Sequence, residues 1–210
     1  MQGLFFTFEG IDGCGKSTQI GRAHSYLLQK GLNCILTREP GGTSIGEKIR
    51  ELLLSCEYGE MSNGAELLLY LAARAQHINE KILPALEKGQ IVLCDRFQEA
   101  TFAYQGFGRG YDLEMLECIN GFATSQLNPT HTFVFDISVE SAFKRMKKMK
   151  KPADRLEQSS RDFYEKIRQG YTVLAKKHAE RISFINGEQS IDEIAAAVRK
   201  QIDAYFKGAA

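Results

Sequence analysis

The apolar run Leu4-Phe5-Phe6-Thr7-Phe8-Glu9 leads directly into GIDGCGKST at residues 10–18, and an amphipathic pattern begins near residue 16. A strand, a glycine-rich turn and a helix in that order leave few folds open. Residues Gly10 to Ser17 satisfy G-x-x-x-x-G-K-[ST] in full. Glycines let consecutive N–H groups converge on an anion, where side chains would stand in the way. The start of a helix adds its positive end. Lys16 supplies a mobile charge for β- and γ-phosphates, and the Ser17 hydroxyl is a ligand for Mg²⁺. The bland alternative is a tight strand-to-helix turn that happens to contain lysine. With strand, loop, lysine and hydroxyl all in register, the reading is a nucleoside triphosphate cradle made by Gly10, Ile11, Asp12, Gly13, Cys14, Gly15, Lys16, Ser17 and Thr18.

The rest of the chain repeats the strand–helix alternation. Strands are expected at 4–9, 33–37, 91–95, 132–137 and 182–186, and helices near 16–30, 44–55, 64–88, 112–124, 139–149, 159–180 and 190–206. The strand runs are apolar almost throughout, as strands covered on both faces should be. Such alternation implies right-handed crossovers and a parallel sheet, so the fold class is α/β. No linker, repeat or low-complexity tract divides the chain, so one domain is expected over 1–207, with 208–210 as a tail. Ligands of such sheets gather at the carboxyl ends of the strands.

The run 91–95 ends in Cys94-Asp95-Arg96. Beside the first strand, Asp95 becomes a second Mg²⁺ partner and Arg96 can grip another phosphate bidentately. A switch or motor needs one nucleotide, whereas phosphoryl transfer to a second phosphate needs a second anion site. Tyr70 and Arg74 lie four apart in LLLYLAARAQH and share a helical face. They could stack on a base and bond its edge, or simply belong to the core. In Thr101-Phe-Ala-Tyr104-Gln105-Gly106-Phe-Gly108-Arg109-Gly110, three glycines suggest a loop able to close on a ligand, or a plain surface loop.

Residues 144–157 read KRMKKMKKPADRLE, with six basic residues among the eight from Lys144 to Lys151. A solvated helix face, a nucleic-acid contact and a lid whose cations settle over a triphosphate all compete. The run lacks interleaved aromatics and the net charge of the chain is only +1, which disfavours nucleic acid. Pro152 ends the helix and permits a hinge. With the cradle present, the lid is the favoured reading.

Taken together these residues resemble the thymidylate kinase family, through EGIDGCGKST, TREPGGT at 37–43, YLAARAQ, DR at 95–96, AYQGFGRG at 103–110, FDIS at 135–138 and DRLE at 154–157. The resemblance implies a P-loop nucleoside monophosphate kinase fold with a five-stranded parallel sheet, transfer of the ATP γ-phosphoryl group to dTMP, Mg²⁺ as cofactor and a homodimer. It implies that Lys16 stabilises the transferring group and that Asp12 meets the metal and the sugar. Arg96 would bind the dTMP phosphate, Arg74 the thymine edge and Tyr70 the ring face, with Arg38, Thr101, Tyr104 and Gln105 completing the acceptor site. Ser17, Asp12 and Asp95 would hold the metal, and Lys16, Asp95, Arg96 and Arg155, with one or more of Arg145, Lys148 and Lys150, would act in transfer.

The chain departs from the family's common pattern at several places. The stacking position is Tyr70 where Phe is usual, Ala100 stands where Ser is frequent, and Cys14 replaces Ala. No basic residue precedes Lys16 in the loop, so the chain resembles relatives with cations in the lid. That lid is mostly lysine, which delivers charge without arginine's planar fork.

Bulk composition agrees with this picture. Five scattered cysteines (Cys14, Cys34, Cys56, Cys94, Cys118), no C-x-x-C and no signal-like leader suggest reduced thiols in a cytoplasmic protein. No apolar run is long enough for a bilayer, and neither membrane nor nucleic acid is expected as a partner. The rival readings are a kinase for another nucleoside or nucleotide, and a one-nucleotide switch or ATPase. Against a guanine switch, the chain lacks Asn-Lys-x-Asp.

Overall fold

The computed structural model describes residues 3–148, 154–157 and 159–206. Strands β1 (Phe5–Glu9), β2 (Cys34–Arg38), β3 (Ile91–Asp95), β4 (His131–Asp136) and β5 (Ile182–Asn186) form one parallel sheet in the order β2-β3-β1-β4-β5. Each lies within a residue or two of its expected run. Continuous burial holds for the central three: β1 is buried throughout, and β3 and β4 everywhere but their last residue. The edge strands β2 and β5 are covered only partly, leaving Leu36 and Phe184 exposed. An edge strand has a neighbour on one side alone, so apolar composition overstates its burial.

Alternate residues of β1 and β3 feed two apolar clusters, and β4 feeds the larger one alone. Phe6, Phe8, Leu93, Phe133 and Phe135 belong to the larger one, while Phe5, Val92 and Cys94 join Ile78, Ile82 and Phe97 in the smaller. The larger cluster takes in the buried stripes of α1 (Lys16–Gln29), α8 (Arg161–Lys177) and α9 (Ile191–Ala204). Helix α1 packs on α9, and α2 (Ser44–Leu54) on α3 (Asn63–His77). Further along lie α4 (Leu83–Glu87), α5 (Gln98–Thr101), α6 (Leu113–Thr124) and α7 (Val139–Lys148). Among the described residues no helix is long and apolar enough to cross a membrane.

Two helical stretches differ from expectation. The run 64–88 is one rod broken by a wide π turn at Ile78–Ile82 before α4. Pro84 has no N–H to give the carbonyl four residues back, which favours this looser winding. The expected glycine loop at 101–110 is instead a second π-helical segment, Phe102–Gly108, continuing α5. Its glycines serve close packing rather than a hinge. A Cβ at Gly106 would lie 2.7 Å from Leu113 Cδ2, and one at Gly108 would lie 2.7 Å from Phe163 Cε2 on α8.

Side-chain caps begin most of these helices: Thr43 for α2, Ser62 for α3, Asp112 for α6, Ser160 for α8 and Ser190 for α9. Ser190 and Glu193 form a reciprocal capping box. Ser190→Ala should lower stability by about 1 kcal/mol. The check is a urea melt, whose midpoint should fall with its slope unchanged.

Candidate active site

The register that pairs Phe8 of β1 with Asp95 of β3 brings the phosphate loop and the Asp95-Arg96 pair to one rim of the sheet. The loop is wound through left-handed glycines, Gly13 at φ 80° and Gly15 at φ 95°. A Cβ at Gly13 would sit 2.7 Å from the Ala142 carbonyl, so packing and backbone both exclude a side chain there. At Gly15 the space is open and only the backbone conformation demands glycine. Gly15 precedes α1 without any side-chain cap, unlike the capped helices above. The first-turn N–H groups of α1 therefore lack the usual side-chain acceptor, as an anion site requires.

Lys16 is buried, with Nζ 3.4 Å from Asp12 Oδ1. The Ser17 hydroxyl donates to Asp95 Oδ2 at 2.8 Å. Two of the residues expected at a metal thus touch directly. Asp12, the third, faces Arg96, whose Nη2 donates to Asp12 Oδ1. The Tyr104 and Tyr164 hydroxyls donate to Asp12 Oδ2 at 3.0 and 3.2 Å. Burial works to raise the Asp12 carboxyl, but the Arg96 and Lys16 cations outweigh it and hold the group below the ordinary carboxylate range.

Arg96 sits at φ 70°, a left-handed conformation unusual outside glycine. Its guanidinium also donates to the Gly10 carbonyl at 3.2 Å and to the Tyr171 and Tyr104 hydroxyl oxygens at 3.4 and 3.0 Å. The turn is held from beneath by Glu9, whose Oε1 accepts the Phe97 N–H at 2.6 Å and whose Oε2 accepts the Tyr171 hydroxyl at 2.8 Å. Burial, reinforced by the neighbouring Glu99 carboxylate, pushes the Glu9 carboxyl up.

One cavity opens onto Lys16, Ser17, Asp95 and Arg96, and it is also lined by Tyr70, Arg74, Thr101, Tyr104 and Gln105. Arg74 is almost wholly buried and most of its N–H groups are already engaged. Nε donates to Glu39 Oε2, Nη1 to Thr101 Oγ1 and Asn120 Oδ1, and Nη2 to the Phe97 carbonyl, all at 2.7–2.8 Å. Arg74 therefore ties α3 to the β2 exit and to the turn after Arg96. Glu39 also meets His77 Nδ1 at 3.0 Å and precedes a cis peptide to Pro40. Arg38 lines the cavity while paired with Glu47 at 2.7 Å.

Several residues of the site carry no signal of their own in the sequence. Arg50, one turn before the end of α2, reaches the Pro40 carbonyl at 2.9 Å and lines the same cavity. Glu39 and Pro40 fall inside the TREPGGT stretch, yet nothing in their spacing marks them as walls. Tyr164 arrives from α8, more than a hundred residues from Asp12, and only the fold connects them.

The lid residues are distributed differently from expectation. Arg155 does not lie free over the cradle: Nη2 pairs with the buried Glu66 at 2.7 Å and Nε donates to the Leu53 carbonyl at 3.1 Å. Glu66 also binds Arg109 and Gln105, so Arg155 fastens the turn at 154–157 to α2 and α3. Gln105 lines the cavity while its Nε2 is held by Glu66 at 3.1 Å. Arg145 donates to the Gly187 carbonyl at 3.0 Å and lies near Glu188. Lys148 is exposed at the end of α7, and Lys150 and Pro152 lie outside the described residues.

The comparisons with known proteins agree with this geometry. The family model described as "Thymidylate kinase" matches residues 8–198. The chain is 44% identical over 212 residues to a protein named thymidylate kinase from Pelotomaculum thermopropionicum, covering 99% of this chain and 98% of that one. It is 47% identical over 194 residues to another from Thermoanaerobacter sp., covering 92% and 94%. A crystal structure of thymidylate kinase from Ehrlichia chaffeensis superposes with a TM-score of 0.79 at 33% identity, covering 97% of this chain and 99% of that one. The sheet and its helices are those of the P-loop nucleoside monophosphate kinases, and the chain belongs to the thymidylate kinase family.

Proposed function

We infer that the residues gathered at this rim carry the reaction of the family, in which ATP gives its γ-phosphoryl group to dTMP, yielding dTDP and ADP. The chain is an ATP-dependent kinase of the thymidylate kinase family. The observation that carries the residue assignment is the placement of Asp12 between two cations, Lys16 of the phosphate loop and Arg96 of the β3 exit. One carboxylate shared by cations from the phosphate loop and the β3 exit supports a site in which two polyanions meet.

In this reading the loop from Gly10 to Thr18 binds the ATP phosphates and Lys16 follows the transferring group. Arg96 binds the acceptor phosphate, with Arg50 and Arg38 as further cations of the same cavity. Tyr70 faces the thymine ring, and Arg74, Thr101, Tyr104 and Gln105 surround base and sugar. A phosphate oxygen is already anionic near neutral pH, so no strong general base is needed. Positioning and charge neutralisation supply the catalysis.

Ser17 and Asp95, with Asp12 nearby, fit Mg²⁺: all three offer hard oxygen donors, and Ser17 and Asp95 are already in contact. Among the described residues no group of three or more His, Cys, Asp or Glu side chains forms a metal cage. That sparse donor set suits an ion that takes its remaining ligands from phosphates and water. When bound it would neutralise charge on the bridging phosphate oxygens. Lys148 and Lys150 remain the lid cations for the transition state, and Arg155 and Arg145 would have to exchange their present partners to join them. A cytoplasmic location is proposed, in keeping with the proposed substrates ATP and dTMP.

The test is ADP formation with dTMP, dUMP, dCMP and dGMP compared side by side, dTMP being preferred. Hydrolysis indifferent to every acceptor would instead indicate a one-nucleotide protein. In the same assay Lys16→Ala should lower turnover by about 10²–10³-fold, with folding unchanged by circular dichroism. Arg50→Ala should raise KM for dTMP by about tenfold or more, since hydrogen bonds to charged groups contribute about 1.5–3 kcal/mol. KM for ATP should stay put, and an equal change in both would make Arg50 structural.

A homodimer is proposed through the face of α3 and α6, which pack together and present Leu68 and Phe122, 65% and 87% exposed. Large exposed apolar groups on two helices that pack together suit a partner. Phe122→Asp should convert a dimer to a monomer in sedimentation velocity. A dimer that survives the change would place the interface elsewhere.

A further inference from the structure

We propose that Glu9, at the carboxyl end of β1, is a positioning residue that holds Arg96 ready for the acceptor phosphate, acting through the Phe97 amide and the Tyr171 hydroxyl. The inference rests on the reading of Arg96 as the residue that binds that phosphate. Glu9 is fully buried beneath the turn and lies outside the residues that line the cavity. Its effect therefore passes through other groups.

Arg96 is held at both its backbone and its side chain. The Phe97 N–H belongs to the peptide that follows Arg96, and Glu9 Oε1 accepts it at 2.6 Å. That bond fixes the direction in which the chain leaves a residue already in the left-handed region, at φ 70°. On the side-chain path, Glu9 Oε2 accepts the Tyr171 hydroxyl at 2.8 Å, and the Tyr171 oxygen accepts from Arg96 Nη1 at 3.4 Å. A single buried carboxyl thus anchors the turn at its peptide and, through Tyr171, the guanidinium it carries.

Two converging donors require a side chain of this length with two polar ends. Alanine would leave the Phe97 N–H and the Tyr171 hydroxyl without their acceptor. Glutamine would keep both links, its oxygen on Phe97 and its amide N–H on the Tyr171 oxygen. Burial and the Glu99 carboxylate disfavour charge on Glu9, which is consistent with a neutral amide serving in its place. A merely structural glutamate would affect every ligand alike, whereas a positioning residue for Arg96 should affect only ligands that carry the acceptor phosphate.

The experiment is calorimetric titration of dTMP, thymidine and ATP into the full chain and its variants. Glu9→Ala should weaken dTMP by about tenfold or more, the loss of roughly 1.4 kcal/mol, while thymidine and ATP change less than about threefold. Glu9→Gln should return dTMP affinity to within about threefold of the original. Tyr171→Phe, which cuts only the side-chain path, should weaken dTMP by about threefold and leave thymidine alone. Should Glu9→Ala fail to fold, Tyr171→Phe and Glu9→Gln carry the test. Equal losses for dTMP and thymidine, or no loss for dTMP in Glu9→Ala or Tyr171→Phe, would overturn the positioning role. Arg96→Ala separates the two ideas. If it erases the preference for dTMP over thymidine while Glu9→Ala keeps it, only the role of Glu9 falls; if Arg96→Ala keeps the preference, both fall.

Discussion

The Asp12 carboxylate, shared between Lys16 and Arg96, is the contact on which the site depends. It exists because β1 and β3 run parallel as neighbours, so that the loop after one and the turn after the other leave the sheet side by side. Tyr104 from the π-helical segment and Tyr164 from α8 donate to the same carboxylate. Four separate parts of the chain thus converge on one side chain. Moving β3 by one residue against β1 would turn Asp95 to the opposite face and break the Ser17–Asp95 contact along with it.

The local part of this arrangement was legible in the sequence and the convergent part was not. The cradle is a contiguous motif whose backbone demands are written in its own glycines, and Asp95-Arg96 stands at the end of a recognisable strand. Nothing local reports that Arg96 will adopt a left-handed conformation, because what sustains it is Glu9, Tyr171 and Asp12, each distant in sequence or topology. Arg74 shows the same difficulty from the other side. Helical spacing put it on one face with Tyr70 and left ligand contact and core both open; its guanidinium holds Glu39, Thr101, Asn120 and the Phe97 carbonyl together while lining the cavity. It is as much a strut of the cavity as a wall of it.

Glycine was the residue type most open to misreading. In the phosphate loop its purpose is a left-handed backbone, and the sequence pattern captures that. In Gly106 and Gly108 its purpose is contact, since Leu113 and Phe163 occupy the space a Cβ would need. A stretch that reads as a flexible loop is in fact pressed against α6 and α8, and its rigidity holds Tyr104 and Gln105 at the cavity. The edge strands carry a related lesson. Apolar runs identify strands, but coverage depends on a strand's place in the sheet, which composition does not encode.

Charge in the cavity is balanced by the protein itself. Glu39 pairs with Arg74, Glu47 with Arg38, Asp12 with Arg96, and Glu66 with Arg155, so the cations are oriented within ion pairs. Buried guanidinium groups require such partners, because an uncompensated charge there would cost several kcal/mol. The consequence for recognition is an exchange of partners rather than simple neutralisation. If Arg96 binds the acceptor phosphate as proposed, a doubly charged phosphate would draw it partly away from Asp12, and a neutral nucleoside has nothing with which to do so. On that proposal, the resting ion pairs would themselves favour a phosphorylated acceptor. A chain with a net charge of only +1 can hold two polyanions because its cations are concentrated and pre-aligned at this rim.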